Sequence, residues 1–414
     1  MEIIGKKSLK GEIKVPGDKS ISHRAVIFGS ISEGETVVEN ILLSEDVLNT
    51  IECFREMGVD IEINKEENKL RIIGNGLYGL KKPKKSLDCG NSGTSMRLLA
   101  GVLAGQNFES TLIGDSSLSK RPMDRIINPL RKMNVNIHGV DNKYPPISIC
   151  PSKELYGIEY TLPMASAQVK SAILLASLYA KGETKVIEKK TTRDHTERMM
   201  EYFDEDDFKG KNIYVPGDIS SAAFFIIGAS IMKDSSIVLK DVGINPTRTG
   251  IIDVLQSMGG NIGVKNIRNI NKEPIGDIYV SYSPLMGIEL DSAIIGRLID
   301  EIPIIAVGAM FAQGSTIIRN AEELKYKETD RIHAIVTELR KVGGDIEALE
   351  DGLIIKGTST FYPGVLDSYN DHRIAMALSI AALNIDGKSK INDDRCINIS
   401  YPQFYESLQK IIME

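Results

Sequence analysis

Six times along the chain a short segment of Gly, Ser, Asp, Asn or Arg gives way to an apolar stretch. In the first half these pairs are Gly17 to Arg24 before Ala25–Phe28, Gly90 to Arg97 before Leu98–Leu103, and Ser166-Ala167-Gln168 before Ala172–Ala180. In the second half they are Gly217 to Ser221 before Ala222–Ala229, Asp300-Glu301 before Ile304–Ala312, and Asn370 to Arg373 before Ile374–Leu383. A helix that is apolar on every side has to be buried, so six core helices are predicted, each with a polar N-terminus. Unpaired N–H groups and the macrodipole suit such helix ends to anions.

After each buried helix the chain turns to a strand, opening at Gly34-Glu35-Thr36, Ser110-Thr111, Gly182-Glu183-Thr184, Ser235-Ser236, Gly314-Ser315-Thr316 and Gly387-Lys388-Ser389. Self-similarity of this kind defines an architecture before any motif does. Most of these strands lead into an amphipathic helix: Ile332, Ile335, Val336 and Leu339 recur at i, i+3, i+4 and i+7, and Val47, Ile51 and Phe54 do so less strictly. Met57-Gly58, Met258-Gly259 and Val342-Gly343 supply the glycine that ends such helices. The third unit is the shortest. Asp204 to Asp207 carries it almost directly from a helix into Ile213-Tyr214-Val215, so a strand pair is expected to be missing there.

A longer period groups the units in threes, because Val15-Pro16-Gly17-Asp18 recurs as Val215-Pro216-Gly217-Asp218. Pro-Gly turns are natural crossings between halves, and a chain of 414 residues exceeds what one core usually serves. The expected domains are residues 17–216 and residues 1–16 with 217–414, hinged near 15–18 and 215–218. Apolar helices should lie inside, sheets and amphipathic helices outside, with the polar helix ends gathered in a cleft between the halves.

A net charge of −6, with 26% charged and 42% hydrophobic residues, argues against a nucleic-acid or anionic-membrane surface, so any polyanion must meet a local cluster of cations. No apolar run approaches a membrane span and the opening Met1-Glu2-Ile3-Ile4 is no signal peptide, which makes the cytoplasm the expected compartment. Cys53, Cys89, Cys150 and Cys396 are too dispersed for a Cys-x-x-Cys site and the five histidines are scattered, so reduced thiols, no metal and no cofactor are expected. Gly74 to Gly79 matches G-x-G-x-x-G, but Leu80-Lys81-Lys82-Pro83 follows where a dinucleotide site needs a helix. The lysine run beyond it and the acidic run at Asp204 read as solvated loops. Gly90 to Ser95 lacks the Gly-Lys-Ser ending of a nucleotide triphosphatase loop, yet its small residues let an anion approach backbone N–H groups.

Cations sit at the helix starts: Lys19 and Arg24 at the first, Arg97 at the second, Lys170 at the third and Arg373 at the sixth, with Lys120-Arg121, Lys325, Lys327 and Arg331 in loops between. One alone would be read as a salt bridge or a side chain packed along the surface. Together they define a site for ligands carrying several negative charges, since Arg pairs bidentately with phosphate and carboxylate.

The segments Pro16 to Arg24, Gly90 to Arg97, Lys120-Arg121-Pro122-Met123, Ser166 to Lys170, Lys327 to Arg331 and Asn370 to Arg373, in this order, resemble the 5-enolpyruvylshikimate-3-phosphate synthase family from about residue 5 to 405. The resemblance implies an α/β fold: a two-domain inside-out α/β barrel of six βαβαββ repeats, three per domain. It also implies transfer of the enolpyruvyl group of phosphoenolpyruvate to the 5-hydroxyl of shikimate 3-phosphate by addition and elimination of phosphate. That is the sixth step of the shikimate pathway to chorismate and the aromatic amino acids, carried out without a cofactor by a monomer. By the same resemblance Lys19, Ser20, Arg24, Ser166, Gln168, Arg193, Asp300 and Lys327 bind shikimate 3-phosphate. Lys19, Gly93, Arg121, Gln168, Arg331 and Arg373 bind phosphoenolpyruvate.

The reaction needs one proton taken from the 5-hydroxyl and one given to C3 of phosphoenolpyruvate. Asp300 is the implied base and Glu328 the implied acid/base group, with Lys19 a competing acid; the sequence does not apportion the protons. For Glu328 an i, i+3 ion pair with Arg331 is the structural alternative. Some family members carry a Lys near the C-terminus where this chain has Ile399. Gly17-Asp18-Lys19, Ser166 to Lys170, Arg193 to Glu197 and Asn245-Pro246-Thr247-Arg248 resemble the family's second class, which implies weak inhibition by glyphosate even though Gly93 leaves room for it. Two rivals remain: the sister transferase acting on UDP-N-acetylglucosamine, which usually places a Cys in the loop that here reads Ser116 to Arg121, and a non-catalytic repeat scaffold.

Overall fold

The computed structural model describes residues 1–413 and is a mixed α/β structure that divides into two compact units. The first unit is Gly17–Val215 with Ile270–Glu273; the second is Met1–Pro16, Pro216–Asn269 and the chain from Pro274 onward. Each has its own apolar core.

The chain opens in the second unit with β1 (Glu2–Ile4) and β2 (Ser8–Ile13) and then enters the first. Six helices follow: α1 (Lys19–Ile31), α2 (Glu45–Glu56), α3 (Gly93–Leu103), α4 (Asp124–Lys132), α5 (Ala167–Ser177) and α6 (His195–Asp204). Between them lie β3 (Glu33–Glu39), β4 (Asp60–Asn64), β5 (Lys69–Asn75), β6 (Leu87–Asp88), β7 (Ser110–Ile113), β8 (Asn136–Val140) and β9 (Tyr144–Cys150). Then come β10 (Leu155–Tyr156), β11 (Glu159–Thr161), β12 (Ala180–Lys181), β13 (Lys185–Ile187) and β14 (Asn212–Tyr214). α1 is buried without a break from Ile21 to Ile31, as its all-round apolar pattern requires. The strands form sheets ordered β14-β3-β5-β4 and β6-β7-β9-β8, with two-stranded pairs β10-β12 and β11-β13. After α2 and α4 the chain makes antiparallel pairs, β4 with β5 and β8 with β9; after α6 it runs to β14 with no such pair.

The second unit continues with α7 (Ile219–Ile231), α8 (Gly250–Ser257), α9 (Ile302–Met310), α10 (Arg331–Lys341), α11 (His372–Asn384) and α12 (Phe404–Gln409). Its further strands are β15 (Ser236–Gly243), β16 (Asn261–Ile270), β17 (Glu273–Ser281), β18 (Ser315–Ile318), β19 (Asp345–Leu349), β20 (Gly352–Lys356), β21 (Val365–Asp367), β22 (Lys388–Asn392) and β23 (Ile412–Met413). They form sheets ordered β16-β17-β15-β2-β23, β18-β20-β19 and β1-β22-β21. α7 and α9 are buried at every residue, whereas α10 buries the stripe that includes Ile332, Ile335, Val336 and Leu339. Gly58, Gly259 and Gly343 follow amphipathic helices at φ 83°, 82° and 97°, the left-handed residue that ends a helix.

Three local expectations change. The third apolar run is not one helix to Ala180: α5 ends at Ser177, and Ala180 pairs with Leu155 in the β10-β12 ladder. An alanine suits either state, so the hydrophobic pattern could not mark that boundary. Likewise the strand expected at Gly182 begins at Lys185. Finally, the turn Ile270–Glu273 between β16 and β17 belongs to the first unit rather than to the second.

Candidate active site

Five of the six buried helix starts carry a side-chain cap, of two kinds, and α9 has no side-chain cap bond. At α1, α7 and α11 the cap is Asp18, Asp218 or Asp371, whose carboxylate already accepts backbone N–H groups of the first turn. Those ends draw little further benefit from a bound anion. At α3 and α5 the caps are the neutral hydroxyls of Ser92 and Ser166, so the dipole there is not offset by a carboxylate. Anion attraction at α1 and α11 therefore falls to side-chain cations.

In the first unit, Arg24 is buried on α1. Its Nε donates to Thr196 Oγ1 at 2.7 Å, and its two terminal nitrogens donate to Ser20 O at 2.8 Å and Ser171 Oγ at 2.7 Å. Burial lowers the Arg24 pKa to about 10, nearby Glu197 and Asp18 oppose that shift, and the positive charge of Arg193 adds to it. A second positive charge acting on a buried guanidinium makes the place favourable to an added anion. Lys19 is held by Asp46 at 3.0 Å, a partner that nothing in the sequence pattern singled out. Ser20 lies at the start of α1 and Ser166 caps α5, where its hydroxyl accepts from Val169 N.

On α3, a Cβ at Gly93 would lie 2.7 Å from one terminal nitrogen of Arg97 and 3.6 Å from one of Arg121, so the glycine leaves room for both guanidiniums. Arg97 donates to Gln168 Oε1, and Gln168 Nε2 donates to Thr94 Oγ1 at 2.9 Å, which fixes the glutamine on α5 against α3. Arg121 donates to Asn91 Oδ1 at 2.7 Å and to Ser117 Oγ at 3.3 Å. Gly93, Gln168 and Arg121 are thus brought together around Arg97, a cation noted in the sequence but given no ligand. Lys170 lies instead in a buried bridge between Glu188 and Glu197, at 2.8 and 2.6 Å.

In the second unit, five of the implied site residues form one connected set. Asp300 sits in the tight turn just before α9, 3.5 Å from Lys327 Nζ, 3.4 Å from Arg331 and 3.9 Å from Arg373, whose guanidinium also donates to the Asp300 carbonyl at 3.2 Å. Arg331 is 1% exposed. It pairs with Asp371 through Nε at 2.8 Å and with Glu328 at 2.6 Å, so the i, i+3 ion pair weighed for Glu328 is present. Burial opposes the Arg331 charge, but Asp371, Glu328 and Asp300 together hold its pKa above the usual arginine value. Lys327 is likewise raised: its burial is outweighed by Glu323 and Asp300. Asp371 is the organiser the sequence did not reveal, since it caps α11 and anchors Arg331 at once; its signal is the Asn370-Asp371-His372-Arg373 run at a buried helix start. Ile399 packs against the apolar core.

No group of His, Cys, Asp or Glu among the described residues has metal-binding geometry. The loop from Ser116 to Arg121 contains no cysteine. Cys89 lies buried beside Cys53, where the hydrogen bond to that thiol and desolvation push its pKa well above the ordinary thiol value. Such a thiol is poorly suited to stand in for a reactive loop cysteine.

Arginines and lysines at helix starts within each unit, with Asp300 and Glu328 beside Arg331 in the second, suit the handling of anions, and the comparisons name a class of enzyme that fits. The enolpyruvyl transferase NikO from Streptomyces tendae shares the fold, with TM-score 0.81, 16% identity, and coverage of 100% of this chain and 98% of that one. The EPSP synthase of Acinetobacter baumannii superposes with TM-score 0.89 at 44% identity, covering 100% of this chain and 99% of that one. The 3-phosphoshikimate 1-carboxyvinyltransferases of Thermoanaerobacter sp. (strain X514) and Bacillus cytotoxicus are 49% and 51% identical, covering 99% and 98% of this chain and 100% and 98% of theirs. The family model for EPSP synthase (3-phosphoshikimate 1-carboxyvinyltransferase) matches residues 3–408. The chain belongs to the EPSP synthase family and is accordingly a transferase of the shikimate pathway.

Proposed function

We propose that the chain transfers the enolpyruvyl group of phosphoenolpyruvate to the 5-hydroxyl of shikimate 3-phosphate, on six βαβαββ repeats arranged as an inside-out barrel, three per domain. Lys19, Ser20, Arg24, Ser166, Gln168, Arg193, Asp300 and Lys327 hold shikimate 3-phosphate. Lys19, Gly93, Arg121, Gln168, Arg331 and Arg373 hold phosphoenolpyruvate, whose phosphate and carboxylate suit three guanidiniums. Orientation of two substrates by such contacts can lower a barrier by roughly 7–11 kcal/mol. The reaction takes place in the cytoplasm of the cell, and the enzyme works as a monomer.

The observation that carries this reading is the arrangement of two carboxylates, Asp300 and Glu328, about one buried guanidinium, that of Arg331. A base for the 5-hydroxyl and an acid/base group for C3 are then available beside the cations that orient the substrates. We assign Asp300 to the 5-hydroxyl and Glu328 to C3, with Lys19 the other donor to be weighed. Phosphate release should require both substrates, and Glu328→Gln or Asp300→Asn should lower kcat by roughly 10²–10⁴-fold while circular dichroism is unchanged. Full rate in both variants would overturn the assignment.

Glyphosate should inhibit weakly, as in the second class the motifs resemble. Half-inhibition near the phosphoenolpyruvate KM in a steady-state titration would contradict this.

A further inference from the structure

The turn Ile270–Glu273 belongs to the first unit although β16 and β17, which it joins, continue in the second. Asn271 and Lys272 both have positive φ, 52° and 66°, the backbone of a two-residue hairpin turn that suits Asn and strains Lys. Every residue of the turn beyond Ile270 is fastened. Asn271 accepts from Tyr214 N at 2.8 Å and donates to Asn212 O at 3.1 Å. The Lys272 carbonyl accepts from Arg198 at 2.7 Å, and its ammonium pairs with Glu201 at 3.1 Å and Glu205 at 2.5 Å.

Glu273 is different, because its carboxylate is buried, at 4% exposure, 2.7 Å from Nδ1 of the equally buried His195. A carboxylate can only accept, so Nδ1 carries the hydrogen. Closing a surface hairpin does not call for a buried carboxylate, which costs desolvation unless it is paired.

His195 is the first residue of α6, and the residues around it lead to the proposed substrate site. Asp194 pairs with Arg198 at 2.9 Å and Glu197 with Lys170 at 2.6 Å. The Thr196 hydroxyl, shared with Ser171 Oγ at 2.6 Å, receives Arg24 Nε. Arg193 lies immediately before this turn, and its charge is felt at Arg24. Two like charges repel, so the backbone that carries them must be held before an anion arrives to neutralise them.

We propose that Glu273 is a positioning residue for shikimate 3-phosphate: through His195 it fixes the first turn of α6, and with it Arg193 and the Thr196 hydroxyl that orients Arg24. The inference rests on the assignment of Arg24 and Arg193 to shikimate 3-phosphate made above.

The test uses the full chain. Shikimate 3-phosphate affinity is measured by calorimetry without phosphoenolpyruvate, and KM for each substrate is measured with the other saturating. Glu273→Ala should raise the Kd and KM for shikimate 3-phosphate by about tenfold and the KM for phosphoenolpyruvate by less than about twofold. Glu273→Gln, whose amide oxygen can still accept from Nδ1, should recover most of that loss. Asn271→Ala, which loosens the turn without touching His195, should lower the melting temperature and leave shikimate 3-phosphate affinity unchanged. Equal rises in both KM values, or unaltered affinity in Glu273→Ala, would overturn the proposal. If Glu273→Ala does not fold, Glu273→Asp decides, because a carboxylate drawn back by one methylene should show the same selective loss in weaker form, and wild-type affinity would refute it. Failure of the wild-type chain to bind shikimate 3-phosphate at all would instead refute the site assignment on which the inference rests.

Discussion

A single residue can tie charge balance to helix capping, and Arg331 does so through Asp371. Its guanidinium is buried among Asp371, Glu328 and Asp300, and Asp371, fully buried, holds the first turn of α11. Removing the cation strands a buried carboxylate, which is far more costly than removing both members of a pair. Arg331→Met should therefore reduce the unfolding free energy of the ligand-free protein by roughly 3–5 kcal/mol, read from urea denaturation at neutral pH. A loss below about 1 kcal/mol would mean that Asp371 finds another donor. The residue scale is also where the sequence was least explicit. Arg24, Arg121 and Arg373 stood out as cations at helix starts. Their partners Thr196, Asn91 and the Asp300 carbonyl come from distant segments, and no local pattern encodes such pairings.

Among elements, the buried helices were legible because an apolar run with no polar face leaves the chain one option, as in α7 and α9. The amphipathic stripe of α10 and the glycine stops were legible for equally local reasons. Boundaries decided by packing were not. α5 gives way to β12 where the chain meets Leu155, and the β16–β17 turn docks on side chains of α6 and on the backbone of β14, which its own sequence cannot announce. Close helix approach is of the same kind: a Cβ at Gly101 on α3 would lie 2.4 Å from Ala172 O on α5. Gly101→Ala should force these helices apart, costing roughly 1–3 kcal/mol in thermal or urea unfolding. It should also raise the phosphoenolpyruvate KM, because Arg97 and Gln168 join the same two helices beside Gly93. Unchanged stability would show that α5 can shift freely.

For the whole molecule, an acidic chain that handles anions must do so through local sets of cations, one in each unit. A repeat scaffold has no use for such sets, whereas an enzyme gains ligand-linked stability from them. Phosphoenolpyruvate added with shikimate 3-phosphate should raise the melting temperature, and a ligand at a hundred times its Kd contributes about 2.7 kcal/mol. Arg121→Ala in one unit and Arg373→Ala in the other should each abolish most of that increment at the same ligand concentration. Retention of the full increment in both variants would favour the scaffold.

The hairpin turn also bears on how this protein can be dissected. Residues 17–215 read as a self-contained stretch of gene, yet a fragment cut at those ends would leave His195 without its carboxylate and the Tyr214 amide without Asn271. Split reporters, permuted variants and halves expressed for separate study should therefore carry the missing four-residue clasp on a short linker, or supply it in trans as the complementary piece.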